Sequence, residues 1–503
     1  MEGVDVGDDA PGVLAPLLPQ IAETHTGLVI LLGELAYKVK KPVTTDFLDF
    51  STPDAREQAC AHEVMLNRRL APASYLGLGH FQSPRGEAPE PVIVMRRHPD
   101  ELRLATMVRH RDDVTDDLNG IADVLARFHA GAHRGPEVDE QARPVAVTAR
   151  WQENLTELAR YADGVVPGLE AELVAETSVL AMSFIAGRAA LFDGRIAAGR
   201  IVDGHADLLA DDIFCLPDGP ALLDCLEFDD RLRYVDGVDD AAFLAMDLQF
   251  LGRADLAEQF LRRYLELADD DAPESLQHFY IAYRAGVRAK VDCVRYTQGH
   301  PDAAADAQRH LGFALAHLHA AAVQLVLVGG GPGTGKTTLA HGLAKELAAE
   351  VVSTDDVRAS MVRRGEISGE PGILGEGLYT PANIEAVYAA VLEEARKRLR
   401  AGRTVILDGT WTDPHRRDRA RSLADETHSA MVEFECSAPL DASVDRIRTR
   451  DHTTSQVTPE IATALAGHDS SWPEAHRLDT TRALAGTVAE ALHICRTTEN
   501  PTT

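Results

Sequence analysis

Apolar and polar positions follow one another along this chain with periods that change several times. Residues 27–40, GLVILLGELAYKVK, read as two short strands with a turn near Gly33 and Glu34. Residues 54–70 carry Ala59, Val64, Leu66 and Leu70 at helical spacing among charged neighbours. PVIVMR at 91–96 reads as a buried strand, and 114–130 as a helix ending in RFHA. From 200 to 235 short apolar runs sit between acidic turns, which predicts strand, loop, strand, loop. Residues 239–320 are rich in Ala and Leu and read as mostly helical, broken near 270–273 and 299–301, with a last helix over 302–322. Beyond it, apolar strands at 324–328, 350–353, 404–408 and 431–436 alternate with helices, the signature of a parallel α/β sheet. No Gly/Ser/Pro-rich linker divides the halves and no internal repeat stands out, so two domains packed together are expected.

Composition adds bounds. A chain of 503 residues exceeds what one core usually organises. Apolar content of 45% and charged content of 26% are ordinary for a globular protein. The net charge of −29 argues against non-specific binding to DNA or anionic membranes, and leaves room for a local basic groove. The acidic N-terminal sequence MEGVDVGDDAPG does not read as a signal peptide. No stretch of about 18 uncharged apolar residues occurs, so no membrane span is expected. Six dispersed cysteines without a C-x-x-C pair suit neither a disulfide framework nor a zinc site; reduced thiols in a cytoplasm are expected. Arg is the default cation. The lysines are Lys38, Lys40, Lys41, Lys290, Lys336, Lys345 and Lys397, so each is a candidate for a compact point charge.

Lys336 stands in Gly330-Gly331-Pro332-Gly333-Thr334-Gly335-Lys336-Thr337-Thr338, between an apolar strand and a helix. That context makes a P-loop, whose backbone N–H groups and helix N-terminus cradle the phosphates of ATP or GTP. Lys336 reaches the β/γ-phosphates in this reading, and the Thr337 hydroxyl ligates Mg²⁺. The next strand ends in Ser353-Thr354-Asp355-Asp356-Val357-Arg358. Asp355, at the carboxyl end of a strand beside the P-loop, faces the crevice where ligands bind and is a candidate general base. Arg358 is placed to hold the acceptor or a phosphate. A compatible second reading has Thr354 or Asp355 capping a helix that starts near Val357. Asp408 ends the strand TVILDG, suited to Mg²⁺ through water, with Asp413 nearby. Arg446 and Arg450, four apart in DRIRTRD, share a helix face as candidate lid arginines or as a solvated stripe.

GGPGTGKTT, STDDVR, ILDGTW and the arginine-bearing helix make residues 323–495 resemble the P-loop kinases related to polynucleotide 5′-kinase, zeta-toxin-like and gluconate-kinase-like enzymes. The resemblance implies Asp355 as general base and Arg358 beside the phosphates. Sugar and nucleoside kinases share the strand–Asp pattern, so the acceptor stays open.

A second constellation lies upstream. His205-Ala206-Asp207 is followed by Asp212 and, twelve residues later, Asp224 in LLDCLEFDD. This resembles the catalytic core of the aminoglycoside phosphotransferase and protein-kinase-like superfamily, whose loop reads H-G-D-x-x-x-x-N before a hairpin and an I-D-x-x motif. The resemblance implies Asp207 as proton acceptor, Asp212 and Asp224 as Mg²⁺ ligands, and His205 as a brace. Ala206 replaces the usual Gly and Asp212 the usual Asn, which puts metal preference in question; Glu227 is a further candidate. Lys38, with Lys40 on the same strand face as the alternative, is expected on the α/β-phosphates, with Glu63 as its partner. Met95–His98 would be the hinge against adenine. No G-x-G-x-x-G covers the phosphates; THTGLVILLG offers only Gly27 and Gly33. An inactive pseudokinase-like fold is the alternative.

The whole chain resembles actinobacterial-type fusions of these two modules, through YKVKKPV, EVMLNRRLAPASYLG, DCLEFDDRLRYVD and AFLAMDL. The expected class is therefore α/β and α+β. A bilobal protein-kinase-like fold over 1–320 (small lobe about 1–96, large lobe about 97–320) precedes a P-loop parallel α/β sandwich over 321–503. The expected activity is ATP- and Mg²⁺-dependent phosphotransfer to a small hydroxylated molecule. Two readings compete with it: a polynucleotide 5′-hydroxyl kinase that grips a strand through Arg416, Arg417, Arg419 and Arg421, and a nucleotide-sensing regulator with one non-catalytic domain. Oligomeric state and coupling between the sites are not legible.

Overall fold

The computed structural model describes residues 19–23, 27–43, 50–82, 89–370, 375–449 and 471–498. The chain forms two compact units, residues 1–142 with 195–272, and residues 143–194 with 273–503. It therefore passes from one to the other three times.

The first unit holds a five-stranded antiparallel sheet of β1 (Gln20–Glu23), β2 (Gly27–Leu32), β3 (Leu35–Lys40), β4 (Tyr75–Phe81) and β5 (Glu90–Arg96). Its order is β1-β2-β3-β5-β4. The turn at Gly33 (φ 58°) is where expected; β1 and β4 are additions to the sequence reading. Helix Pro53–Asn67 starts where Thr52 accepts the Ala55 N–H and Pro53 fixes the first turn. It buries Cys60 and Val64 against Ala36, Tyr75, Ile93 and Met95 of the sheet. The 200–235 stretch folds into short strands and loops as read, with a 3-10 turn at Ala210–Asp212 and a short helix at Asp230–Arg233 that the reading did not include. β6 (Ile201–Asp203) pairs with β9 (Tyr234–Asp236), and β7 (Ile213–Phe214) with β8 (Ala221–Leu222). The apolar helix Gly237–Phe250 runs beneath them, buried on nearly every face. A break at Gly252 (φ 83°) separates it from helix Ala254–Ala268, an interruption that the Ala/Leu pattern concealed.

In the second unit β10 (Gln324–Gly329), β11 (Glu350–Ser353), β12 (Val405–Asp408), β13 (Ala430–Ser437) and β14 (His476–Asp479) form a parallel sheet of order β11-β12-β10-β13-β14. Alternation along β10 divides the core. Leu325 and Leu327 pack with Val391, Val405 and Leu407 on one face, while Val326 and Val328 pack with Leu339, Ile406 and Phe434 on the other. Helices Pro144–Ala159, Ala171–Gly187, Glu274–Thr297 and Ala303–Ala320, placed by motif order in the expected first domain, belong to this compact unit. Their joint to the sheet domain is specific. Arg188, 1% exposed, donates to the Thr427 carbonyl and Ser429 Oγ beyond the C-terminus of helix Pro414–Glu426. At Gly187 a Cβ would meet the Thr427 carbonyl oxygen at 2.3 Å.

All six cysteines are free and buried. Burial pushes each thiol up to about 12. Among the described residues no single helix is long and apolar enough to cross a membrane.

Candidate functional site

The first site grows from the turn after β6. Gly204 is required there, because a Cβ would meet Asp240 Oδ2 at 2.5 Å. Asp240, on the helix beneath, is fully buried and accepts the N–H groups of His205 and Ala206, both at 2.7 Å. His129 adds a third bond at 2.9 Å and is itself 2.7 Å from the Tyr264 hydroxyl. Burial is the largest single influence and opposes the Asp240 charge, but the His129 hydrogen bond and charge, with the His205 ring and N–H, together outweigh it and hold the carboxyl below its usual range. His205 Nε2 donates to the Leu223 carbonyl (3.0 Å) while Nδ1 accepts the Asp207 N–H (3.3 Å). Only the neutral Nε2–H tautomer satisfies both, and burial lowers the proton affinity of the ring accordingly. His205 thus ties the loop to the Leu223 carbonyl and to its own backbone at Asp207.

This scaffold presents Asp207, Asp212 and Asp224 together. Asp224 takes a left-handed conformation (φ 61°), with its N–H 3.2 Å from the Tyr75 hydroxyl, so β4 reaches the motif directly. Burial, then the charges of Asp224 and Asp207, push the Asp212 carboxyl well above the usual range. Burial is also the largest influence on Asp224 and works against its charge, yet Lys38, joined by Lys40 and His205, overrides it and keeps that carboxyl low. Lys38 Nζ lies 2.5 Å from Asp224 and 2.8 Å from Glu63. Lys40 lies 2.6 Å from the other Glu63 oxygen and pairs with Glu227. Both candidate lysines therefore meet Glu63. At the expected hinge, the Arg97 N–H bonds the Glu34 carbonyl (2.8 Å), and the His98 ring stands 5.1 Å from Phe214. Gly27 opens β2, whereas Gly33 lies at the far end of that strand, in the β2–β3 turn.

Ala206 occupies the left-handed region (φ 68°), which costs an L-residue about 1–2 kcal/mol. Ala206→Gly is accordingly expected to raise stability by up to about 1 kcal/mol, the gain being trimmed by the freer unfolded chain. Urea unfolding midpoints check it; an unchanged or lower midpoint contradicts the strain.

The second site is the loop after β10. Gly330 (φ 132°), Gly333 (φ 75°) and Gly335 (φ 88°) hold conformations that L side chains rarely adopt. A Cβ on Gly330 would meet the Cys436 carbonyl oxygen at 2.4 Å, and one on Gly333 that of Ser443. Gly331-Pro332 lead into the tight turn that Thr334 Oγ1 closes on the Gly331 carbonyl (2.8 Å). Helix Lys336–Glu346 follows, with Thr337 and Thr338 in its first turn. Lys336 Nζ donates to the Gly331 carbonyl at 2.7 Å. Thr337 Oγ1 donates to Asp408 Oδ2 at 2.6 Å, joining the two expected metal-side groups. Burial pushes the Asp408 carboxyl up despite that bond and the Lys336 charge.

Asp355 and Arg358 pair at 2.5 Å on helix Thr354–Arg364, and the guanidinium stacks over Tyr379 at 4.7 Å. The cap of that helix is Ser353, whose Oγ accepts the Asp355 N–H, rather than Thr354 or Asp355. The strand ends at Ser353, as read, and the helix starts directly at Thr354, not near Val357. Asp413 caps helix Pro414–Glu426 by accepting the His415 N–H. Arg446 reaches the P-loop, donating to the Gly333 carbonyl (3.4 Å) and to Thr480 (2.7 Å). Arg450 lies outside the described residues.

Among the described residues no three metal-type side chains gather to hold an ion unaided. Two carboxylates in the first site, and a hydroxyl with one carboxylate in the second, fit a cation that completes its shell with water and phosphate oxygens, as Mg²⁺ does.

The "Uncharacterized protein Rv2004c" of Mycobacterium tuberculosis strain ATCC 25618 / H37Rv is 54% identical over 476 residues, 95% of each chain. The "Uncharacterized protein Mb2027c" of Mycobacterium bovis matches to the same extent. The chain belongs to the family of these mycobacterial proteins. A sequence-family model described as AAA domain matches residues 325–468. A choline/ethanolamine kinase family protein from Mesorhizobium loti is 14% identical with a TM-score of 0.37, over 61% of this chain and 95% of its own. A sugar kinase from Janibacter sp. HTCC2649 is 21% identical with a TM-score of 0.27, over 34% of this chain and 93% of its own. The P-loop described above lies within the stretch that the AAA domain model matches.

Sequence reasoning missed Asp240, His129 and Thr480. The first two carry a readable signal, an acid inside the apolar run of the 237–250 helix and a histidine ending an otherwise amphipathic one. Thr480, whose hydroxyl donates to the Thr334 carbonyl at 2.6 Å, has no signal in the sequence beyond its place after a strand.

Proposed function

We propose that this protein is an ATP-dependent phosphotransferase with two nucleotide sites, moving the γ-phosphate of ATP to a hydroxyl of a small molecule. The observation that carries the reading is the gathering of Asp207, Asp212 and Asp224 around a lysine that Glu63 holds, since binding alone needs no base. In the first site Asp207 takes the proton of the acceptor hydroxyl, Lys38 meets the nucleotide phosphates, and Asp212 and Asp224 hold the cation. In the second, Lys336 and the helix N-terminus bind the phosphates, Thr337 and Asp408 face the cation, and Asp355 is the base. Arg358 and Arg446 neutralise charge there. Magnesium, when bound, would screen the phosphate charges as the bond to the leaving ADP breaks.

Small acceptors are favoured over a polynucleotide by the four arginines after the DGTW strand. Arg416 and Arg419 pair with Glu385 at 2.7 and 3.1 Å, and Arg421 with Glu433 at 2.6 Å. Arg417 is buried on the carbonyls of Trp411 and Ser471. All four are engaged within the domain, so none is left over for a basic groove in that helix.

The test follows labelled γ-phosphate from ATP onto sugars, amino sugars, aminoglycosides, nucleosides and 5′-hydroxyl oligonucleotides. Wild type runs beside Lys38→Met and Lys336→Ala. Calorimetry with a non-hydrolysable ATP analogue is expected to count two sites in the wild type and one in each variant. A product lost only in Lys38→Met assigns the first site, and one lost only in Lys336→Ala the second. Nucleotide binding without transfer to any acceptor would favour the sensor reading instead.

A further inference from the structure

We propose that Lys40 is a positioning residue which fixes Glu63, so that Lys38 alone is presented to the nucleotide phosphates. The inference rests on the reading of the first unit as a nucleotide site. Strand geometry puts Lys38 and Lys40 on one face of β3, and Glu63 takes one with each carboxylate oxygen, Oε1 to Lys38 at 2.8 Å and Oε2 to Lys40 at 2.6 Å. The two lysines differ in what lies beyond them. The second partner of Lys38 is Asp224, whose side chain is 43% exposed; that of Lys40 is Glu227, at 16%. Lys40 itself is 2% exposed and lies 5.3 Å over the Phe50 ring. An incoming phosphate therefore competes with Asp224 for Lys38, while Lys40 stays enclosed by Glu63, Glu227 and Phe50.

The consequence is a division of labour. When Asp224 turns to a cation, Glu63 is the remaining carboxylate on Lys38. Glu63 is fully buried, and its second oxygen is held by Lys40 as an ion pair at 2.6 Å. Without Lys40, that oxygen would be a buried, unpaired acceptor. Lys38, the nearest cation, would turn onto both oxygens and away from the phosphates.

The experiment uses the full chain carrying Lys336→Ala, which silences the P-loop, and an acyl-phosphate derivative of ATP. A lysine amine at the phosphate site attacks its acyl carbonyl and ATP leaves, so the modified lysine can be mapped by mass spectrometry. Lys38 is expected to be acylated, Lys40 not, and free ATP to protect. Lys40→Met should lower Lys38 acylation at sub-saturating probe by about tenfold or more, the scale set by misplacing a reacting group by an ångström. Lys40→Arg should recover most of the labelling. Where Lys40→Met fails to fold, Glu227→Gln, which loosens Lys40 while sparing Glu63, should still reduce acylation. Acylation of Lys40 in place of Lys38 overturns the proposal, as does unchanged Lys38 labelling in a folded Lys40→Met or in Glu227→Gln; the nucleotide site would stand in both cases. Absence of any ATP-protected labelling at either lysine sinks the nucleotide-site reading itself.

Discussion

Asp207→Asn is expected to slow phosphoryl transfer at the first site by about 10²–10⁴-fold, the span that a positioned general base contributes. The substitution keeps the volume and the backbone N–H that binds His205, and removes only the ability to accept a proton. Because Lys38, Glu63 and Asp224 are untouched, the KM for ATP should stay within about threefold, the pattern of an interaction made in the transition state. Steady-state kinetics in the Lys336→Ala background, with the acceptor found by the transfer screen, give both constants. A rise in KM with kcat preserved would make Asp207 a binding residue and return the base to another group.

Asp240→Ala should cost the first unit about 3–5 kcal/mol, the usual penalty for breaking a buried, charge-assisted cluster. Three donors lose their acceptor at once: the His205 and Ala206 N–H groups and the His129 ring. The catalytic loop would lose its anchor, so transfer should fall with stability. The acid dependence has a definite sign. The carboxyl is held below its ordinary range in the folded state, so its stabilisation is complete above about pH 4, the unfolded value. It is lost as pH drops below that value toward the folded one. Urea unfolding at a series of pH values should show wild-type stability falling on acidification, with a shallower fall in Asp240→Asn. Parallel slopes for the two proteins would mean that another group carries the acid sensitivity.

What the sequence made legible follows from how locally each feature is encoded. The P-loop glycines sit at φ values that few other residues tolerate, so their spacing announces the loop. The central strands β10 and β12 carry unbroken apolar runs, LVLV and VIL, because both faces of the sheet are covered there. Edge strands are different. β1 is exposed throughout, β4 contains two glycines, and β14 reads HRLD, so none carries a hydrophobic period. Lys38, Glu63 and the three aspartates were named through the family resemblance, and the fold brings them near one another. That Lys40 shares Glu63 required knowing the depth of the helix below the strand, which alternation alone does not give. The arginines after the DGTW strand read as a basic patch in the sequence. Their partners Glu385 and Glu433 come from other elements, and no local pattern couples them.

The six buried cysteines have a practical corollary. With thiols pushed up to about 12, only about one in 10⁵ is thiolate at neutral pH while its surroundings stay closed. Cys60, Cys215 and Cys225 lie in the first unit, and Cys293, Cys436 and Cys495 in the second. The protein thus carries two matched sets of silent tags, three to a unit, which an alkylating pulse can reach only when that unit breathes open. Peptide masses from such a pulse would time the opening of each half separately, without a dye or an engineered label.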